Sequence, residues 1–298
     1  MTDQTIKAIK YGRPMTGILA MLGAMASFVA NDTCVKLIGD AIPLGELILL
    51  RSVGATALVF VYAHYSRGLQ PAPRSSLGLI GWRVAADILA TLCIVAGVLG
   101  MPIADATAIS QLTPLLMTAA AAILLRERVG WRRWLAIFIG FAGVMLIIRP
   151  GTASFSTAAV LSLAGVVFVV ARDLVTRRIS NDVTTLTLLC VSLAASSVAG
   201  LLLLPFETWI MPPARITLLL ALCSLFVTFA YALIIVAMRN GDVATTAPFR
   251  YAVIIFALLS GYIFWGDLPD SLQMLGIAIL TAAGVYTFHR ERLAAPQR

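Results

Sequence analysis

Apolar residues in this chain gather into ten long runs, and short polar connections separate them. The runs cover residues 15–37, 44–62, 77–99, 102–125, 131–148, 155–175, 183–204, 216–236, 243–264 and 272–288. Each has close to the roughly 20 residues that an α-helix needs to cross a bilayer. The connections carry proline, glycine or charged residues, which are typical of helix ends. The pattern predicts an all-α integral membrane protein with ten transmembrane helices.

A motif at the end of the first run returns at the end of the sixth. Asp32 and Lys36 stand four residues apart, and Asp173 and Arg177 repeat this spacing 141 residues later, the offset at which segment 142–149 returns as 283–290. The shared offset indicates a duplicated unit of five helices, and because five is odd, the second unit must be inverted in the membrane. The predicted division is an N-terminal segment 1–14, a first five-helix repeat 15–149, a second repeat 150–290 and a C-terminal tail 291–298.

Composition supports a membrane location and argues against several other classes. Hydrophobic residues make up 60% of the chain and charged residues 12%, whereas soluble domains carry about 25% charged residues. The four cysteines have no C-x-x-C spacing, so neither a disulfide framework nor a zinc site is expected. The sequence lacks G-x-x-x-x-G-K-[ST] and H-E-x-x-H motifs, which argues against ATP drive and zinc proteolysis. We expect no enzyme activity, no bound metal and no cofactor.

Positive charge is distributed unevenly between the two sides of the predicted bundle. Sixteen of the 22 Lys and Arg residues fall on the side that holds both termini, and three fall on the other side, Lys36, Arg149 and Arg215. The positive-inside rule then predicts a multi-pass protein of the inner (cytoplasmic) membrane with both termini in the cytoplasm. Since the net charge of +8 belongs to these membrane faces, the expected partners are the lipid bilayer and a small-molecule substrate. Neither a nucleic acid nor an obligate protein partner is indicated.

Short motifs recur in a fixed order along the chain. They are Asn31-Asp32 with Lys36, Glu46 with Arg51, Pro114 followed by Arg126-Glu127-Arg128, Ala247-Pro248-Phe249-Arg250-Tyr251, Gly266-Asp267 and Gly276. Together they resemble the EamA-type members of the drug/metabolite transporter superfamily over essentially the whole chain. Asp267 departs from that pattern, in which a glutamate such as Glu127 is usual. The resemblance implies a secondary carrier with a central cavity lined by helices 1, 3, 4, 6, 8 and 9, which exports amino acids or other small metabolites.

Three charged residues are expected in one region near the ends of the first and second helices. An ionisable group inside a membrane span is costly, so it indicates either function or a paired partner. One interpretation of Asp32, Lys36 and Arg51 is a gate that holds one conformation closed. The alternative is a static ion cluster that joins the two helices. Asp173 and Arg177, near the opposite surface, are expected to form a solvated i,i+4 pair.

The fourth and ninth helices are predicted to break at Pro114 and Pro248. Each proline should free the carbonyl of the residue four positions earlier, which is Ser110 or Ala244. Broken helices at membrane depth are tolerated where they line a cavity. A structural kink is the alternative.

Arg250, two residues after the second break, is the candidate substrate anchor. A guanidinium binds a carboxylate through two parallel hydrogen bonds, and the ring of Tyr251 can contact an ammonium group. Gln111 and Thr113 are candidates for the polar lining of the cavity. Asp87, at the centre of the third helix, is either a coupling protonation site or the partner of a buried arginine, and Arg250 is a candidate for that arginine.

These observations predict a secondary transporter that exports small zwitterionic metabolites, in particular neutral or aromatic amino acids, by alternating access. A broad-specificity exporter of drugs or organic cations on the same fold is the second hypothesis. A channel is the third, and it would require a ring of like groups around an axis. Two inverted halves supply only a pseudo-twofold axis.

Overall fold

The computed structural model describes residues 14–66, 68–70, 72–127, 129–149, 156–179, 183–240 and 246–294 of the 298-residue chain. Several predictions fall outside these residues. They concern the segment before residue 14, the last residues of the tail, the carbonyl of Ala244 and the junction at residue 150 between the two predicted repeats.

Ten helices, α1 to α10, follow one another in the described part of the chain. They are α1 Pro14–Ile38, α2 Leu44–Tyr65, α3 Leu77–Gly100, α4 Ile103–Leu124, α5 Trp131–Ile148, α6 Thr157–Thr176, α7 Thr185–Leu203, α8 Ala214–Asn240, α9 Ala252–Trp265 and α10 Ser271–Ala294. Among these residues, nine helical segments are long and apolar enough to cross a membrane, and α10 carries a shorter apolar stretch, Ser271–Thr287. The predicted all-α membrane fold is confirmed.

The predicted prolines lie at an interruption within α4 and in a 3-10 helix directly before α9. The helix α4 consists of Ile103–Ser110 and Thr113–Leu124 with a turn at residues 111 and 112, and α9 follows a 3-10 helix, Ala247–Tyr251. The carbonyl of Ser110 accepts a hydrogen bond from Thr113 Oγ1 at 2.6 Å. The neighbouring hydroxyl therefore satisfies the acceptor that Pro114 leaves without a backbone donor.

The helices pack with an approximate twofold relation between the two halves. The most extensive contacts join α1 to α8, α3 to α6, α2 to α7 and α5 to α10. Exchanging each helix with the one five places along the chain converts the α1–α8 pair into α6–α3 and leaves the last two pairs unchanged. This is the pairing expected of two inverted five-helix repeats around a shared axis.

Glycines allow the α5–α10 and α2–α7 pairs to pack backbone against backbone. These are the two pairs that the twofold exchange leaves unchanged. A Cβ added to Gly276 of α10 would lie 2.6 Å from the carbonyl oxygen of Gly143 of α5. A Cβ added to Gly200 of α7 would lie 2.7 Å from the carbonyl oxygen of Gly45 of α2. Close approach through small residues is how transmembrane helices associate when no hydrophobic effect drives them together.

Candidate functional site: a central cavity between the two halves

A cavity of about 930 Å³ lies inside the bundle, and both halves of the chain contribute to its walls. Its polar and aromatic lining includes Phe28, Asn31, Asp32, Arg51, Asp87, Gln111, Thr113, Glu127, Arg133, Arg172, Asp173, Arg177, Tyr231, Arg250 and Tyr251. Residues of α2, α5, α7 and α10 line it as well as the six helices that the family resemblance implies. The cavity extends to Glu127 and Arg177, which are exposed. We call this end of the bundle the Arg177 end and the opposite one the Lys36 end.

The structure brings most of the predicted site residues together around this cavity. The residues predicted to bind substrate, Asp87, Gln111, Thr113, Arg250 and Tyr251, all line it. Asp32, Arg51 and Pro114 line it too, whereas Lys36 and Pro248 are absent from the described lining.

Arg250 presents an unpaired guanidinium to the cavity. It lies in the 3-10 helix that precedes α9 and is exposed. Within the described part of the chain, its side chain forms neither an ion pair nor a hydrogen bond. The next residue, Tyr251, packs against Gly284 of α10, where an added Cβ would lie 2.0 Å from the Tyr251 hydroxyl. Arg250 is therefore free to bind an anionic group in the cavity.

Asp87 is held by side chains from three helices. Its Oδ1 accepts a hydrogen bond from Arg172 Nη1 at 3.0 Å, and its Oδ2 accepts one from Ser192 Oγ at 2.7 Å. Arg83 Nη2 lies 3.9 Å from the same Oδ2. The hypothesis that Asp87 is paired with a buried arginine is correct, but Arg250 as that arginine is wrong.

Asp32 and Arg51 face the cavity from α1 and α2 without a direct ion pair. Asp32 Oδ1 accepts a hydrogen bond from Asn31 Nδ2 at 2.9 Å, and Arg51 is close enough to attract the carboxylate electrostatically. Phe28, one helical turn before Asp32, lies edge to face with Tyr231 of α8 at a ring-centroid distance of 5.5 Å. Both rings line the cavity beside the two charges.

Lys36 lies at a closed end of the bundle, apart from the other two predicted gate residues. Its Nζ donates a hydrogen bond to the carbonyl of Met101 at 3.0 Å and lies 3.8 Å from Asp267 Oδ2. The same Nζ is 4.8 Å from the ring centroid of Trp265, which is a cation–π distance. The predicted three-residue cluster is therefore divided, because the last turn of α1 carries Lys36 past the cavity to the end of α9.

Other polar contacts close the Lys36 end between the halves. Thr33 Oγ1 and Ser260 Oγ share a hydrogen bond of 2.6 Å, which joins α1 to α9. Gln273 Nε2 donates to Asp105 Oδ2 at 2.9 Å, which joins α10 to α4. The sequence reasoning did not identify this group of contacts.

Asp270 directly precedes α10 and caps its first turn. It also forms an ion pair with Arg149 at the Lys36 end. Its Oδ1 accepts hydrogen bonds from the backbone N–H groups of Leu272 and Gln273, while its own N–H donates to Gln273 Oε1 at 2.8 Å. This reciprocal arrangement is a capping box, and an acid three residues before a glutamine at the start of an apolar run is its sequence signal. The backbone N–H of Gln273 and the Arg149 guanidinium hold the pKa of Asp270 below its usual value.

The Arg177 end carries an ion pair that corresponds to the one between Lys36 and Asp267. Arg177 Nη1 lies 3.7 Å from Glu127 Oε1. The predicted Asp173–Arg177 pair does not form, since Asp173 pairs with the neighbouring Arg172 at 2.8 Å. The helix α6 ends at Thr176, so Arg177 lies past the helical face and within reach of the turn after α4.

Similar turns position Glu127 and Asp267, the acidic partners of Arg177 and Lys36. After α4, the N–H of Glu127 donates to the carbonyl six residues earlier at 3.3 Å, and after α9 the N–H of Asp267 does the same at 3.1 Å. The residue before each acid has positive φ, 56° for Arg126 and 69° for Gly266. A residue with positive φ directly after a helix is a left-handed C-cap. The two ends of the bundle are therefore built alike, with the shorter Asp267 in the position of Glu127.

A multi-pass membrane bundle with inverted halves around a central cavity defines the architecture of secondary transporters. The sequence places the chain within that class. It belongs to the EamA-like transporter family, whose model matches residues 15–149 and 156–288. The predicted family membership is confirmed.

Several named transporters are similar to this chain over nearly its whole length. An S-adenosylmethionine uptake transporter of Rickettsia felis is 22% identical over 95% of this chain and 96% of that protein. A riboflavin transporter of Vibrio cholerae is 26% identical over 90% and 91%, and a pseudopaline exporter of Pseudomonas aeruginosa is 22% identical over 90% and 94%. One solved crystal structure matches with a TM-score of 0.63 and 20% identity over 95% of this chain and 98% of that one, which shows a shared fold.

Proposed function

We propose that this protein is a secondary transporter that exports small zwitterionic metabolites, in particular neutral or aromatic amino acids, by alternating access through the central cavity. The observation that carries the proposal is the unpaired guanidinium of Arg250 in the cavity wall. An ionisable group at membrane depth is costly unless it is paired, and a ligand anion can pair with this guanidinium, which is exposed to the cavity. The substrate carboxylate is that anion, and Gln111, Thr113 and Tyr251 supply further polar and aromatic contacts.

The distribution of Lys and Arg supports an orientation in which the Arg177 end is cytoplasmic. In the inner membrane of the cell, the cavity then opens to the cytoplasm, where an export substrate is loaded. Of the three predicted gate residues, Lys36 closes the outer end by contact with Asp267, whereas Asp32 and Arg51 face the cavity.

The named relatives support a small-molecule substrate. S-adenosylmethionine carries an α-ammonium and an α-carboxylate group, so one relative handles an amino-acid derivative. The relatives include both uptake transporters and an exporter.

A broad-specificity exporter of organic cations is the second candidate function. The observation that favours it is Asp32, an acid in the cavity wall next to the rings of Phe28 and Tyr231. An organic cation without a carboxylate would use Asp32 and would not need Arg250.

Counterflow of labelled L-phenylalanine into proteoliposomes tests the main proposal and separates a carrier from a channel. A carrier shows saturation and acceleration by substrate on the opposite side. Arg250→Ala should reduce uptake of the amino acid roughly tenfold or more, because a charge-assisted hydrogen bond contributes about 1.5–3 kcal/mol. Arg250→Lys should retain part of the activity. Arg215→Ala, an exposed arginine outside the cavity, is the matched control.

Wild-type counterflow by Arg250→Ala at equal membrane abundance would contradict the proposed anchor. Transport of 2-phenylethylamine without transport of L-phenylalanine would favour the organic-cation exporter.

A further inference from the structure

Asp32 is the one described cavity acid that lacks an ion pair. Asp87 and Asp173 are paired with Arg172, and Glu127 is paired with Arg177. Asp32 Oδ1 accepts a hydrogen bond from the side-chain amide of Asn31, while Oδ2 accepts no hydrogen bond from the described residues. Its carboxylate therefore keeps capacity for a ligand in the cavity.

Arg51 forms no ion pair with any described residue and lies at the same depth in the membrane as Asp32. Two consecutive residues of α8 contact the backbone at both positions. Cys223 Sγ lies 3.7 Å from the carbonyl oxygen of Asn31, and Ser224 Oγ donates a hydrogen bond to the carbonyl of Arg51 at 2.8 Å. Asp32 and Arg51 thus stand on neighbouring helices at one level, both facing the cavity and separated by more than ion-pair distance. A space of this kind between two opposite charges fits a group that carries both charges itself.

Arg250 lies too far along the cavity to complete the same contact. Thr33, the neighbour of Asp32, is hydrogen-bonded to Ser260 of α9, and Ser260 is ten residues after Arg250. At about 1.5 Å of rise per residue, the backbones of Asp32 and Arg250 are roughly 15 Å apart along the bundle. The ammonium and carboxylate of an α-amino acid share one carbon atom, so one head group does not contact both residues at once.

We propose that Asp32 and Arg51 form a head-group site in which Asp32 binds the α-ammonium and Arg51 the α-carboxylate of an amino acid. This inference rests on the proposed amino-acid function and deepens it. The rings of Phe28 and Tyr231 form the adjacent wall, and they suit an apolar or aromatic side chain. Arg250 receives the carboxylate nearer the open end before the head group moves to the deeper site.

Three related probes separate the two charges of the head group. L-phenylalanine carries both charges, 2-phenylethylamine lacks the carboxylate and 3-phenylpropanoate lacks the ammonium. Equilibrium binding of each probe is measured on purified protein in detergent, independently of transport. The wild-type protein should bind L-phenylalanine at least roughly tenfold more tightly than either analogue, since each analogue leaves Asp32 or Arg51 without its partner.

Variants assign each charge to its residue. Asp32→Asn should weaken binding of L-phenylalanine and 2-phenylethylamine roughly tenfold or more and leave 3-phenylpropanoate unchanged. Arg51→Gln should weaken L-phenylalanine and 3-phenylpropanoate and leave 2-phenylethylamine unchanged. Asp40→Asn and Arg215→Ala, which are exposed and outside the cavity, should leave all three affinities unchanged.

The double variant Asp32→Asn/Arg51→Gln distinguishes the head-group site from a static ion cluster. A cluster predicts that the double variant recovers the thermal stability lost by each single variant and binds L-phenylalanine normally. The head-group site predicts a folded double variant that has lost most of its affinity for L-phenylalanine. If the neutral variants fail to fold, Asp32→Glu and Arg51→Lys provide the test. Both keep the charge of the native residue, so the head-group site predicts that they still prefer L-phenylalanine to the two analogues.

The outcomes separate the two proposals. If wild-type protein binds L-phenylalanine and 3-phenylpropanoate equally, or if Arg51→Gln is silent while Arg250→Ala removes carboxylate binding, the head-group site is wrong and the amino-acid function stands. If wild-type protein binds 2-phenylethylamine better than L-phenylalanine, the amino-acid function is wrong. Failure to bind any of the three probes overturns both proposals.

Discussion

Lys36 and Asp267 join the end of α1 to the turn after α9, across the boundary between the two halves, with 3.8 Å between Nζ and Oδ2. Arg177 and Glu127 form the corresponding pair at the opposite end, 3.7 Å apart. The side chains of the first pair are 14% and 42% exposed, whereas those of the second are 51% and 55% exposed. The Lys36 end is therefore the more tightly closed one. In alternating access, two such mirrored pairs can each close one end of the cavity in turn.

Asp267→Asn should open the Lys36 end more often. Partly exposed ion pairs contribute up to about 1 kcal/mol, which corresponds to a roughly fivefold change in the ratio of open to closed molecules. The measurement is labelling of Val35→Cys, in a protein whose four native cysteines are replaced by serine, with an impermeant maleimide added on the Lys36 side. Labelling should rise several-fold. Asp40→Asn, exposed at the same end, is the control, and unchanged labelling with a lower melting temperature would indicate a static lock.

Glu127→Gln should have the opposite effect on the same reporter. Loss of the Arg177 contact favours opening of the Arg177 end, so Val35→Cys should be labelled less from the Lys36 side. The change should be smaller than for Asp267→Asn, because both partners are about half exposed and solvent screens their attraction. Arg178→Gln, which alters the exposed arginine beside Arg177, should leave the labelling rate unchanged. An increase with Glu127→Gln would rule out the mirrored gates.

The sequence predicted the helices well because their signal is local. Ten apolar runs and two prolines were enough to place the helices, the break in α4 and the irregular segment before α9. The choice of ion-pair partners was predicted less well, since it depends on how each helix is rotated against helices far away in the sequence. Asp87 was correctly placed at the centre of α3, but nothing in a single sequence brings Arg172 to it. The Glu127–Arg177 pair could have been found from Lys36 and Asp267, had those two first been recognised as partners, because Arg177 corresponds to Lys36 in the repeat and Glu127 corresponds to Asp267 in the family pattern.

Arg172→Ala should destabilise the protein much more than Arg250→Ala. Removing Arg172 leaves Asp87, whose side chain is only 6% exposed, without its closest cation. Breaking one side of a buried pair costs about 3–5 kcal/mol, and the 23% exposure of Arg172 places the expected loss at the lower end. The measurement is the melting temperature of each purified variant in detergent. Adding Asp87→Asn to Arg172→Ala should recover part of the loss. Equal melting temperatures for Arg172→Ala and Arg250→Ala would contradict the pairing of Arg172 with Asp87.

Gly276→Ala should weaken the packing of α5 against α10. The new methyl group would lie 2.6 Å from the carbonyl oxygen of Gly143, so the two helices would have to move apart. Overpacking of this kind typically costs about 1–3 kcal/mol. Gly78→Ala is the matched control, because an added Cβ at Gly78 of α3 has no neighbour within 4 Å. The melting temperature should fall for Gly276→Ala and stay near the wild-type value for Gly78→Ala.

Reporter fusions to the two termini should both be cytoplasmic. Ten crossings return the chain to the side on which it started, and the excess of Lys and Arg on that side predicts that it faces the cytoplasm. A fusion at Trp209, in the connection between α7 and α8 at the Lys36 end, should be external. An even number of helices and an inverted second half require all three results together. Termini on opposite sides would mean an odd number of crossings, and in that case Lys36–Asp267 and Glu127–Arg177 could not be mirrored gates on the two faces of the membrane.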